Sequence, residues 1–279
     1  MVIMDVRAAD LTFDVDVAGP ADGRPVLLLH GFPESRHCWR QVVDVLVDAG
    51  YRCLVPDQRG YSPGARPDDV SAYALPYLAA DALAITAALG APIFDVVGHD
   101  WGGMVAWTLA ARHPERVRSA VVVSTPHPAA LARAMAADSD QRERSAYVQE
   151  FRRDGVEEGM LLDAGAPIRQ RLRGAGLPAP IADEYAETML EPGRLTGALS
   201  WYRALDADLA MATPPVRDVP TTYVWGDRDE ALGAAAAEST RDHVSGAYTF
   251  VRLSGHGHWL PELAPRQLAR VIIGQLRSS

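Results

Sequence analysis

Apolar runs bounded by turn residues recur through the first half of the chain: Pro25 to Leu29, Tyr51 to Val55, Ile93 to Val97 and Arg118 to Val123. Such short runs predict buried strands, and stretches of helical period separate most of them. Strands alternating with helices predict crossover units and a mostly parallel sheet, with ligands at the carboxyl ends of the strands. Leu11 to Val17 instead alternates apolar and polar residues, which predicts a half-exposed antiparallel edge strand. From about Pro128 to Met211 the rhythm breaks into Arg- and Glu-rich helical segments separated by Gly and Pro, as in Gly174-Ala175-Gly176-Leu177-Pro178. Strand patterns resume at Pro220 to Trp225 and at Tyr248 to Leu253, so the helical stretch interrupts one domain and does not start a second. The expected architecture is an α/β core of residues 1–127 and 213–279, its mostly parallel central sheet flanked by helices, with residues 128–212 inserted as a helical cap.

Composition narrows the partners. A chain of 279 residues that is 48% hydrophobic can bury one large core. The formal net charge of -9 and the lack of a basic run argue against nucleic acid or an anionic membrane surface. Met1 to Arg7 lacks the basic and apolar segments of a secretion signal, and no run approaches membrane-spanning length, so a cytoplasmic location is the expectation. Cys38 and Cys53 have no metal-ligand spacing and are read as reduced thiols in or near the core. A homodimer is compatible with all of this.

The candidate chemistry centres on Gly98-His99-Asp100-Trp101-Gly102, which has the glycine spacing of a nucleophile elbow with a carboxylate where serine usually stands. The exchange redirects the chemistry. A carboxylate attacking an ester would form a mixed anhydride as reactive as the ester it replaces. Displacement at an sp3 carbon with a good or strained leaving group instead gives a plain alkyl ester, stable enough to form and weak enough to hydrolyse. Epoxides and alkyl halides are the two substrate classes that fit, and neither requires a cofactor or metal.

Opening an alkyl ester needs a general base for water, commonly a histidine held by a second carboxylate. Asp229 and His258 each lie just past a predicted strand, and nucleophile, acid, histidine is the chain order of this elbow architecture. Asp227 and His256 are the neighbouring alternatives. The oxyanion formed on the ester is best met by backbone N–H groups, one from Trp101 at the start of a helix and one from Phe32 in His30-Gly31-Phe32-Pro33-Glu34. Of the other histidines, His99 should face away from Asp100, His243 reads as surface, and His113 and His127 precede prolines in turns.

Four motifs together carry a resemblance: His-Gly-Phe-Pro-Glu at 30–34, Asp-Gln-Arg-Gly-Tyr-Ser at 57–62, Gly-His-Asp-Trp-Gly-Gly at 98–103 and Gly-His-Trp at 257–259. Over nearly its whole length the chain resembles the epoxide hydrolases of the α/β-hydrolase fold. The resemblance implies that the acid of the Trp-Gly-x-x-Asp pattern is Asp229 and that the histidine before an aromatic residue is His258. It further implies two cap tyrosines that hold and protonate the epoxide oxygen. Tyr202 matches in Ser200-Trp201-Tyr202-Arg203, where serine replaces the family's asparagine, and Tyr147 matches more loosely. Glu230 departs from the pattern, standing where relatives commonly have proline. Asp57 and Arg59 are expected to be structural. The implied activity is cofactor-independent hydrolysis of a small apolar epoxide to a vicinal diol. A haloalkane dehalogenase is the alternative, although Phe32 offers no side-chain donor to a halide; an esterase or lactonase, or a non-catalytic receptor for a small molecule, ranks behind it.

Overall fold

The computed structural model describes residues 2–205 and 213–279. Residues 206–212, the end of the expected insertion, lie outside the described part.

Eight strands form one sheet in the order β1-β2-β4-β3-β5-β6-β7-β8. They are β1 (Val2–Ala8), β2 (Leu11–Ala18), β3 (Pro25–Leu29), β4 (Arg52–Pro56), β5 (Phe94–His99), β6 (Val117–Val123), β7 (Thr221–Gly226) and β8 (Tyr248–Leu253). β1 and β2 pair antiparallel, as do β2 and β4, and every remaining neighbour pair is parallel. The apolar runs became strands because both faces of the sheet centre are covered: all of β5 and β7 is buried.

One expectation is corrected. β2 is antiparallel, but it is not an edge: β1 covers it, with Val6 opposite Phe13 and Val2 opposite Val17. The alternation in β2 reports which way its side chains point, and that pattern says nothing of whether a further strand lies beside it. β1 takes the edge, with Val2, Ile3 and Met4 exposed.

Helices α1 (Arg40–Asp48), α2 (Leu75–Ala88) and α3 (Trp101–Arg112) follow β3, β4 and β5 in the crossover pattern. α1 packs on the C-terminal helix Pro265–Ser278, whose buried residues Leu268, Ala269, Ile272 and Leu276 form one apolar stripe. α3 is buried from Trp101 through Ala110 because it lies against both β5 and β6. Between β6 and β7 the described residues form the helices α4 (Pro128–Ala137), α5 (Ser139–Arg144), α6 (Tyr147–Phe151), α7 (Val156–Met160), α8 (Leu162–Gly174), α9 (Ala179–Met189) and α10 (Arg194–Arg203), and then a single bridge from Val216 to Val244. α8 ends at Gly174 and α9 starts at Ala179, across the Gly/Pro segment noted in the sequence.

These helices are tied to the sheet by polar contacts. Arg194 of α10 reaches Asp57 at 3.4 Å, and Trp201 donates to the Arg59 carbonyl at 2.8 Å. Asp57 and Arg59 do not pair with each other. Asp57 accepts from Arg36, while Arg59 makes two 2.7 Å bonds to Asp81. Cys38 and Cys53 are free and buried. Among the described residues no helix is long and apolar enough to cross a membrane.

Candidate active site

Parallel strands bring their carboxyl ends to one edge of the sheet, and the loops beyond β3, β5, β7 and β8 supply the residues that meet there. Asp100 follows β5 at φ 49, ψ -119, a conformation that non-glycine residues rarely adopt. Two close approaches make the turn possible. A Cβ on Gly98 would lie 2.1 Å from the Gly102 carbonyl oxygen, and one on Gly102 would lie 2.2 Å from the Leu29 carbonyl oxygen. Only glycine fits at either position, and the tight turn projects Asp100 beyond the sheet.

The Asp100 carboxylate is held by two different groups. Its Oδ1 accepts the Phe32 N–H at 2.9 Å, from the loop after β3 where the Phe32-Pro33 bond is cis. Its Oδ2 lies 3.6 Å from His258 Nε2. On the far side of the ring, His258 Nδ1 is 2.9 Å from Asp229 Oδ2. Asp229 Oδ1 in turn accepts the N–H groups of Ala231 at 2.9 Å and Leu232 at 3.0 Å, which fixes the carboxylate plane. Carboxylate, imidazole and carboxylate thus form a line. The alternatives are elsewhere: Asp227 is engaged with the Gly255 N–H at 2.7 Å, and His256 contributes its backbone carbonyl to Arg228.

Burial by itself would raise the Asp100 carboxyl, but His258, His99 and the Phe32 N–H outweigh it and hold it below the ordinary carboxylate range. Burial likewise opposes a charge on His258, yet Asp229 and Asp100 prevail and lift the imidazole well above its usual value. The free site therefore favours an imidazolium between two anions. Neutralising Asp100 by alkylation would remove one of those anions and return His258 toward the free base.

Trp101 occupies the first position of α3, where a helix offers no internal acceptor for its N–H. Tyr202 on α10 and Tyr147 on α6 face the same space: their ring centroids are 6.2 Å apart, and both line a cavity of about 270 Å³ with Asp100, His258 and Phe32. Burial, with the Asp100 carboxylate adding to it, raises the Tyr147 phenol, and burial with Tyr147 and Asp100 raises that of Tyr202. Both hydroxyls are therefore proton donors at neutral pH. Phe151, Leu172 and Trp259 complete the apolar wall, while Arg144, Arg171 and Glu230 are its charged members.

Several contributors are not apparent from the sequence. His99 does face away from Asp100: its Nδ1 lies 2.8 Å from Glu34 Oε1 and its Nε2 is 3.0 Å from the His258 carbonyl oxygen. Glu34 is fully buried and also accepts the Gly31 N–H at 2.6 Å, so one carboxylate braces both the Phe32 loop and the histidine behind His258. Ser124, at the end of β6, donates to the same His258 carbonyl at 2.9 Å. Arg144 donates to the Asp229 carbonyl at 2.7 Å from α5. Glu34 sits inside a quoted motif, but nothing in its spacing signals a buried partner. Among the described residues no group of three or more His, Cys, Asp or Glu side chains could hold a metal ion.

Comparison with known proteins follows the same lines. The family model for the alpha/beta hydrolase fold matches residues 24–265. The AB hydrolase superfamily protein YfhM of Bacillus subtilis is 31% identical over 98% of this chain and 97% of its own. Epoxide hydrolase A of Mycobacterium tuberculosis is 31% identical, covering 92% of this chain and 91% of its own. A solved structure described among novel epoxide hydrolases from metagenomes of hot environments superposes with a TM-score of 0.86 at 29% identity, over 99% of this chain and 98% of that one. With its sheet order, its elbow and a family match that spans most of its length, the chain belongs to the alpha/beta hydrolase fold family.

Proposed function

We propose that this protein is a cofactor-independent epoxide hydrolase working through a covalent alkyl ester on Asp100. The observation that carries the reading is the set of groups around that carboxylate: one oxygen on the Phe32 N–H, the other facing His258, with two protonated phenols in the same cavity. The relatives named epoxide hydrolases, at up to 31% identity, support it.

In the first step Asp100 Oδ2 attacks a ring carbon, and the carbon–oxygen bond breaks. Tyr147 or Tyr202 gives its proton to the departing alkoxide, which becomes the first hydroxyl of the diol. The ester has now lost the Asp100 charge, so the imidazolium of His258 releases its proton, which returns the tyrosinate to the phenol; the free base then takes a proton from water while Asp229 steadies the imidazolium that forms again. The resulting hydroxide adds to the Asp100 carboxyl carbon. The oxyanion develops on Oδ1, already in contact with the Phe32 N–H, and the free Trp101 N–H is assigned as the second donor. Collapse expels the diol alkoxide, which takes the proton of the carboxylic acid just formed; Asp100 is again a carboxylate, and His258 is again the imidazolium of the resting site. In this reading residues 1–127 and 213–279 are the core carrying Asp100, Asp229 and His258, and residues 128–212 are the cap that brings the tyrosines.

The test is the intact mass of a His258→Gln variant after exposure to matched panels of epoxides and alkyl halides. Loss of the base should trap the ester. An adduct carrying every atom of an epoxide, absent in the Asp100→Ala, His258→Gln double variant, is the expected result. An increment lacking hydrogen halide would make the protein a dehalogenase, and no adduct together with no wild-type turnover would refute the reading.

A further inference from the structure

The cavity contains one acidic side chain that the mechanism does not use. Glu230 follows Asp229 directly, is exposed, and lines the cavity together with Asp100 and His258. Besides the His258 imidazolium, which lies between Asp100 and Asp229, two arginines line the cavity, and both are engaged. Arg144 binds Asp140 Oδ2 at 2.7 Å and the Asp229 carbonyl at 2.7 Å. Arg171 binds the two oxygens of Glu150 at 2.8 and 2.7 Å and lies over the Phe151 ring, 4.9 Å from its centroid. Each arginine thus carries its own carboxylate, and their fields largely cancel. Glu230 has no arginine partner among the described residues; its carboxylate lies against the backbone of the His258 loop and accepts the His258 N–H. Burial raises its carboxyl, with His258 acting in the opposite direction.

An apolar epoxide would gain nothing from such a group and would desolvate it without compensation. An anionic substrate would meet Glu230 as a repulsive neighbour and would have to displace Asp140 or Glu150 from their arginines. A cation is the complement. The remaining walls present the aromatic rings of Tyr147, Phe151 and Trp259, and aromatic faces beside a carboxylate not used in the chemistry are the combination that receives an ammonium group.

We propose that Glu230 makes this cavity selective for epoxides that carry a protonated or quaternary amine. The proposal rests on the epoxide reading above and names the substrate class of that same site. It ties the Glu230 departure from the family pattern to a difference in specificity.

The experiment compares kcat/KM for three small epoxides in the wild type and in Glu230→Gln: glycidyltrimethylammonium, its neutral isostere 2-neopentyloxirane, and the anionic 3,4-epoxybutanoate. The cation-to-neutral ratio is expected to fall about tenfold or more in the variant, the equivalent of about 1.4 kcal/mol. A ratio that Glu230→Gln leaves unmoved overturns the proposal, as does a wild-type preference for the anion. Calorimetric binding of benzyltrimethylammonium to both proteins separates this idea from the one beneath it. Affinity that drops in the variant while no epoxide is turned over would remove the epoxide reading and keep the cation site. Turnover of the neutral epoxide with ammonium binding indifferent to Glu230 would do the reverse.

Discussion

His127 stands where the chain leaves β6 for the inserted helices, and acid should loosen the protein there. Its Nδ1 accepts the Ala129 N–H at 3.2 Å, capping α4, while Nε2 lies 3.3 Å from the carbonyl of Pro214 on the returning segment. Both bonds fit the neutral ring protonated at Nε2. Burial, with His243 stacked at 4.8 Å opposing a second charge, depresses His127 from 6.5 to about 4. The folded ring therefore stays neutral between those values while the unfolded ring takes up a proton. Stability contributed by this group is present in full above the unfolded value of 6.5 and is lost as pH falls toward 4. A difference of that size corresponds to about 3 kcal/mol. Asparagine offers an oxygen to the same cap and does not titrate, so His127→Asn is the matched control. Urea denaturation of both proteins from pH 7 to pH 4 is the assay, and the slope against pH, not the offset at neutrality, is compared. The wild type is expected to lose about 3 kcal/mol more than the variant over this interval. Parallel losses, or an imidazole resonance of His127 that titrates near its ordinary value by NMR, would refute the reasoning.

Three further outcomes follow from the site. Replacing Tyr202 by Phe is expected to slow the alkylation step about a hundredfold or more and Tyr147→Phe likewise, with stopped-flow tryptophan fluorescence as the readout; an unchanged rate in the double variant would exclude both phenols as proton donors. In Asp229→Asn the anion that raises His258 is gone, so the imidazole loses its proton at lower pH. The rising limb of single-turnover ester hydrolysis should move to lower pH, while the rate itself drops about 10²-fold or more; a limb that stays in place would contradict the coupling. Gly102→Ala puts a Cβ 2.2 Å from the Leu29 carbonyl oxygen and should destabilise the fold by about 3 kcal/mol in urea denaturation, whereas wild-type stability would show that the elbow has room to give.

Much of the sheet was legible from pattern alone. Val26 to Leu29, Val96 to Val97 and Tyr223 to Val224 are apolar because they are covered on both faces, and that burial is written into the composition of each run. The family motifs and the carboxyl-end rule also point to the loops after β5, β7 and β8, where the structure sets His258 between Asp229, at 2.9 Å, and Asp100, at 3.6 Å. Strand neighbours were less legible. Leu11 to Ala18 showed its antiparallel character but hid that Val2 to Ala8 covers its outer side, since alternation encodes faces and not partners.

By itself, then, the chain determined which segments would be strands, where the tight turn would fall, and which residue types stand at the strand ends, because these follow from local sterics and from hydrophobic period. Only the tertiary structure decided that Tyr147 and Tyr202, from helices α6 and α10, line one cavity with Asp100, that Glu34 supports His99 behind the site, and that Arg144 and Arg171 have carboxylate partners while Glu230 has no arginine. Helices packed over a sheet can meet it in many registers with the same apolar pattern. Which polar groups end up facing one another is set by that packing, between residues far apart in the chain.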